Sequence, residues 1–150
     1  MQTVTVGQLF TQWTSETKSH GSPIDIGAVL YRIGDGSIVL YIGISLRDID
    51  VRLREHVGLA YHAQSPIGRL IERMLPGSVD WTIDLFTTDE LRAYLRPLWK
   101  HRGIDDWSRQ DVARVAEIEM IQRDRPCLND HNNINPRSLP KRYRAALSSR

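Results

Sequence analysis

Arg52 and His56 stand four residues apart in a stretch that reads as a helix over roughly residues 46 to 57. At that spacing both side chains leave one helix face, so a fixed cation and a titratable imidazole can meet a single phosphate. Tyr31 and Tyr41 lie ten residues apart in two apolar runs, where an aromatic residue taken singly is expected in the core. Glu117 sits two residues before Glu119 on a helix apolar over much of its circumference, and periodicity does not choose between the two. Asn129 follows in Cys127-Leu128-Asn129-Asp130, a segment that also reads as a helix-ending turn. Hydrolysis of a phosphodiester needs an attacking water, a group to take its proton, positive charge on the phosphoryl oxygens and help for the leaving oxygen. These residue types supply that set if the fold brings them together.

The elements that must position them are legible in part. A short apolar patch (Val6, Leu9, Phe10, Trp13) predicts a helix near the start, followed by a loop from Ser19 to Pro23. Ala28 to Ile33, the turn Gly34-Asp35-Gly36-Ser37 and Ile38 to Ile42 predict a β-hairpin. Ser45 to Asp48 has capping-box spacing for the helix that carries Arg52 and His56, and Gly58 suits its end. Ser65-Pro66 opens a further helix that Pro76-Gly77 closes, and Val79, Trp81, Ile83 and Leu85 alternate as in a strand. Thr87 to Glu90 and Ser108 to Asp111 repeat the capping spacing, which predicts helices over about 88 to 100 and 109 to 124. The expected class is α+β, a small three-stranded antiparallel sheet covered by helices.

If both tyrosines serve one site they must leave the sheet on the same face. A two-residue loop at Asp35-Gly36 would oppose Tyr31 to Leu40 and send Tyr41 to the other face. Pairing Gly34 with Ile38, through a three-residue loop or an equivalent bulge, sets Tyr31 opposite Tyr41. It also gathers Val29, Ile33, Val39 and Gly43 on that face. The odd-length loop is the expected one.

With 150 residues, 41% of them hydrophobic and 25% charged, the chain has the length of one domain with a core of its own. The formal charge of +2 does not by itself diagnose nucleic-acid binding. Beyond Asp130, however, there is no acid, while Arg137, Lys141, Arg142, Arg144 and Arg150 supply five positive charges in twenty residues. Such a tail suits a phosphate backbone as well as it suits a solvated helix. The single cysteine, Cys127, forms no internal disulfide, and no apolar run approaches a secretory or membrane-spanning segment, so a cytoplasmic protein is expected. His62, His101 and His131 lack zinc-type spacing.

Taken together, Val29-Leu30-Tyr31, Tyr41-Ile42-Gly43, Arg52 with His56, and Glu117 nine before Pro126 and twelve before Asn129 resemble the GIY-YIG nuclease family over roughly residues 28 to 130. The second tripeptide is YIG itself; the first reads VLY, with Val29 where the family has glycine. The resemblance implies a nuclease domain over 27–130, with an insertion near 88–108, an N-terminal extension over 1–26 and a basic tail over 131–150. It selects Glu117 over Glu119 as the ligand of one Mg2+ (Mn2+ substituting), in a metal-dependent endonuclease acting on DNA. It assigns Tyr31 and His56 to water activation, Arg52 to the phosphoryl oxygens, Tyr41 to positioning water or phosphate, and Asn129 to fixing the loop. Nucleic acid would contact Ser45, Arg47 and Arg54 together with Arg137, Lys141, Arg142 and Arg144. A histidine at position 56 resembles the homing and restriction enzymes, and long-site recognition in so short a chain implies a homodimer or partner protein. The alternatives are a non-cleaving nucleic-acid-binding module of the same fold, and a structural protein dimerising through its four tryptophans and the insertion.

Overall fold

The computed structural model describes residues 1–14, 27–57, 65–100 and 102–148. The loop expected at Ser19 to Pro23, the helix stop at Gly58, and His62, His101 and Arg150 lie outside the described residues. The protein is α+β, built on one antiparallel sheet of β1 (Gln2–Thr5), β2 (Ala28–Gly34), β3 (Val39–Ile44) and β4 (Thr82–Thr87). The strand order is β1-β4-β2-β3.

The sheet therefore has four strands where three were expected. The fourth is the edge strand β1, whose Val4 pairs with Ile83 of β4. Four residues are too few for alternation to announce a strand. The helix expected next, α1 (Val6–Thr14), follows at once and buries Val6 and Leu9 completely. Val4, Val6 and Leu9 thus belong to the apolar core.

The helices cover both faces of the sheet. One face packs Val4, Leu9, Tyr31, Ile33, Leu53, Leu70 and Tyr143 beneath α1, α2 (Ile49–Val57), α3 (Pro66–Arg73) and α6 (Lys141–Ser148). The other packs Val29, Leu30, Ile42, Leu91, Leu95 and Met120 beneath α4 (Thr88–Leu95) and α5 (Arg109–Asp124). At about 1.5–3 kcal/mol for each large apolar side chain buried, these two layers hold the sheet between them.

Local chemistry sets the boundaries. Ser45 does not cap α2: its backbone N–H donates to Val29 O at 2.9 Å and ties it to β2 just past the end of β3, four residues before the helix begins. Asp48 takes the role three residues later, accepting from Asp50 N at 3.0 Å. The α3 cap at Ser65 and the reciprocal box between Thr87 and Glu90 of α4 form as expected. Helix α4 stops at Leu95 rather than near residue 100, since Pro97 has no N–H to continue the ladder. Val79 belongs to a 3-10 turn (Gly77–Asp80), and β4 begins only at Thr82. The stretch from 88 to 108, expected as an insertion, buries Leu91, Leu95 and Ile104 and sets Trp99 edge-on to Trp107 at 5.6 Å.

The basic tail is docked. Tyr143 is buried, lies 5.3 Å from the Trp81 ring, and donates its hydroxyl to Asp35 Oδ2 at 2.5 Å. Arg142 pairs with the same carboxylate at 3.4 Å and lies over the Tyr143 ring. From α3, Arg73 donates to the terminal carbonyls Ala146 O and Leu147 O at 2.9 and 2.6 Å. Burial works to raise the Asp35 pKa, but hydrogen bonds from Tyr143, Ile38 and Ser37 and the Arg142 charge outweigh it and hold the group below the usual carboxylate range. Among the described residues, no helix is long and apolar enough to cross a membrane.

Tyr143→Phe keeps the ring packing and removes the hydroxyl that donates to Asp35 and accepts from the exposed Arg142, so it should lower stability by about 1.5–3 kcal/mol at neutral pH, chiefly through the bond to the carboxylate. Urea unfolding followed by circular dichroism measures it; an unchanged midpoint would show that the docked helix does not depend on this bond.

Candidate active site

The hairpin decides whether the two tyrosines can meet. Gly34 pairs with Val39, leaving Asp35 to Ile38 as the loop, and not with Ile38 as expected. Asp35 shapes that loop, its Oδ1 accepting from Ser37 N and Ile38 N at 2.8 and 2.9 Å. Continued without interruption, this register would send Tyr41 to the face opposite Tyr31. The register shifts between Ile33 and Gly34, so that Ile33 faces Tyr41 and Tyr31 faces Gly43, with Leu40 as the extra residue. The bulge restores the parity that the loop alone would break. Tyr31, Ile33 and Tyr41 share one face, whereas Val29 and Val39 pack with the other cluster. A second register shift, between Ala28 and Leu30 against β4, turns Val29 away from the tyrosines.

Tyr31 is fully buried, and its ring lies across Gly43: a Cβ there would fall 2.3 Å from the Tyr31 hydroxyl oxygen. The glycine of the YIG tripeptide is therefore a space requirement. The same hydroxyl is hydrogen-bonded to His56 Nε2 at 2.6 Å, and His56 Nδ1 to Ser65 Oγ at 2.8 Å. Arg52 also hydrogen-bonds Tyr31. Three rings close the cluster, Tyr31, Tyr41 and His56, with centroids 5.4 to 6.1 Å apart.

Electrostatics hold these groups neutral. Burial raises the Tyr31 pKa well above the usual phenol range, Tyr41 and Glu117 add to the rise, and Arg52 opposes it without prevailing. His56 is pushed down to about 4, by burial first and by the Arg52 charge second. At neutral pH the pair is a phenol beside an uncharged imidazole.

Tyr41 joins this cluster to a cleft of about 240 Å³ that it lines with Glu117, Asn129, Pro66 and His131. Glu117 is half-buried, and its carboxylate makes no hydrogen bond or ion pair among the described residues; burial raises its pKa, with Arg114 and His131 partly offsetting the rise. Glu119, by contrast, accepts from Trp99 Nε1 at 3.2 Å and is engaged with the segment after α4. The structure thus separates two glutamates that periodicity leaves equivalent. Asn129 donates to Ile42 O at 2.7 Å and accepts from Ile42 N at 2.9 Å. With Leu128 N donating to Leu40 O, it covers the open edge of β3. Its amide is spent on backbone.

Of the residues expected at a nucleic-acid surface, Arg47, Lys141 and Arg144 are exposed and Ser45 is half-buried beside β3. Arg54 is exposed and paired with Asp50 at 3.4 Å, and Arg137 bonds Asp124 O through its Nε at 3.5 Å. Arg142 is committed to Asp35 and Tyr143, which removes it from the free charges of the tail. Ser65 was legible only as a helix cap; nothing in its spacing from His56 announces the contact between them. No protein-family model, curated protein or solved structure matches the chain.

Two outcomes follow. Gly43→Ala should cost about 1–3 kcal/mol and displace the Tyr31 ring, measured as a lower unfolding midpoint. An unfolded imidazole titrates near ~6.5, so between that pH and about 4 the unfolded chain binds a proton that the native chain refuses, and stability falls as pH drops through the window. The loss should approach roughly 3 kcal/mol at about 1.4 kcal/mol per pKa unit. Urea unfolding from pH 7 to pH 4 tests this: the dependence should be shallower in His56→Gln, and equal slopes in both proteins would refute the assignment to His56.

Proposed function

We propose that the protein is a metal-dependent endonuclease of the GIY-YIG type that hydrolyses phosphodiester bonds in DNA. The observation that carries this reading is the single cleft edge at which Tyr41 joins the Tyr31–His56 pair to Glu117 and Asn129. Four separate elements, β2, β3, α2 and α5, together with the segment that follows α5, contribute those residues, and packing alone does not require so many polar groups to converge.

A half-buried carboxylate with a raised pKa and no partner among the described residues suits a divalent cation that keeps most of its ligands as water and phosphate oxygen. Glu117 would hold Mg2+, which when bound supplies positive charge to the phosphate and to the oxygen of the attacking water. The remaining steps belong to the chain. Arg52, exposed and bonded to Tyr31, presents its fork of donors to the phosphoryl oxygens. The Tyr31 proton passes to His56 Nε2, and the phenolate, steadied by Arg52, takes the proton of the water. The new P–O bond forms as the bond to the leaving sugar oxygen breaks; that oxygen draws its proton from solvent, and His56 gives up to solvent the proton it took, which restores the neutral pair. Tyr41 flanks the reacting phosphate, and Asn129 fixes the loop beside it. Arg47, Lys141 and Arg144 are the exposed cations left to track the strand.

One observation favours a second reading, a nucleic-acid-binding module without cleavage: Tyr31, the residue that would take the proton of the water, has no exposure at all. Incubating supercoiled plasmid and labelled single- and double-stranded oligonucleotides with Mg2+ or Mn2+ separates the two. The nuclease should cut only with metal, and Glu117→Ala should reduce cutting to the metal-free level while gel-shift binding survives. Binding without cutting by the wild type on every substrate would decide for the module.

A further inference from the structure

The hydroxyl of Ser65 serves two partners at once. As the cap of α3 it accepts from Gly68 N at 3.1 Å, and on its other side it meets His56 Nδ1 at 2.8 Å. Which way the protons run along the chain from Tyr31 to Ser65 follows from counting donors. An arginine side chain only donates, so the Tyr31 oxygen accepts from Arg52. The Tyr31 proton then needs an acceptor, because the residue is fully buried. Among the described residues that acceptor is His56 Nε2, 2.6 Å away. An uncharged imidazole that accepts at Nε2 carries its proton on Nδ1 and donates it to Ser65 Oγ. Ser65 then receives two donors, one for each lone pair. The order is Arg52 to Tyr31 to His56 to Ser65, every link pointing the same way.

We propose that Ser65 is a positioning residue, which by accepting the Nδ1 proton holds His56 in the tautomer whose bare Nε2 faces the Tyr31 hydroxyl. The functional half of this inference rests on the nuclease reading; the tautomer does not. When the Tyr31 proton moves to Nε2 the ring becomes imidazolium, and both of its N–H groups remain bonded, one to the phenolate oxygen and one to Ser65 Oγ. Without that oxygen the Nδ1 proton has no acceptor among the described residues, the opposite tautomer becomes competitive, and Nε2–H then opposes the proton that it should receive. Because the same oxygen caps α3, the start of that helix and the orientation of the ring are tied to one atom, and the sequence signature of a cap conceals the second role.

Threonine at 65 keeps the hydroxyl, while glycine is a serviceable N-cap that removes it, so the pair separates helix capping from ring orientation. Long-range 1H–15N correlation spectra of the His56 ring should show Nδ1 protonated and Nε2 bare in the wild type and in Ser65→Thr. Ser65→Gly should shift toward the Nε2–H form with its melting temperature little changed. Plasmid cleavage should fall roughly tenfold or more in Ser65→Gly, as when other residues that orient a working histidine are removed, recover in Ser65→Thr, and not fall further when Ser65→Gly is added to His56→Ala. A wild-type ring protonated at Nε2, or a Ser65→Gly ring with an unaltered spectrum, would overturn the inference. The expected spectra in a protein that cuts no substrate would uphold the role of Ser65 and overturn the nuclease reading instead.

Discussion

Everything at the candidate site depends on one hydrogen bond formed away from water, the 2.6 Å contact between the Tyr31 hydroxyl and His56 Nε2. A phenol and an imidazole that exposed would each titrate near their usual values become, in this interior, a neutral pair. Burial is the larger influence on both, and the Arg52 charge acts in opposite senses on them: it favours the phenolate and disfavours the imidazolium. In the proposed reaction the resting state is therefore uncharged, and charge separation waits for a phosphate and a cation to arrive. The energetic cost of keeping both groups desolvated is met by the packing around them: Leu53, Ile67, Leu70 and Ile71, all fully buried, belong to the same apolar cluster as Tyr31.

The hairpin is the device that makes the contact possible. Its four-residue loop has the wrong parity for two tyrosines on one face, and the bulge at Leu40 reverses it. The bulge at Val29 does the same for the start of β2, allowing a large apolar residue where a small one was expected, because its side chain joins the opposite cluster. Gly43 completes the arrangement by leaving room for the Tyr31 ring. Two irregularities and one missing Cβ thus aim a sheet that would otherwise scatter its aromatic residues over both faces.

The periphery is tied to this centre more closely than its composition indicates. The C-terminal helix grips the tip of the hairpin through Tyr143, Arg142 and Asp35, and α3 grips that helix in turn through Arg73. Because α3 also carries Ser65, the tail, the hairpin and the histidine form one mechanically continuous unit. Basic residues there divide into two populations, Arg142 committed to the fold and Lys141 and Arg144 facing solvent. Net charge and charge runs do not make that distinction.

The sequence by itself determined the long, strongly patterned features: the hairpin, the cap and extent of α5, the capping box of α4 and the placing of Arg52 and His56 on one helix. Those follow from hydrogen bonds and periodicities that span only a few residues, so local rules suffice. It pointed to Tyr31, Tyr41, His56, Glu117 and Asn129 through their joint spacing, but not to the state of any of them. Tertiary structure alone decided the edge strand at residues 2–5, the bulges, the engagement of Glu119 with Trp99, the commitment of Asn129 to the edge of β3, and the contact of Ser65 with His56. Each of these depends on groups far apart in the chain, and their energies arise from desolvation and pairing that exist only once those groups have been brought together.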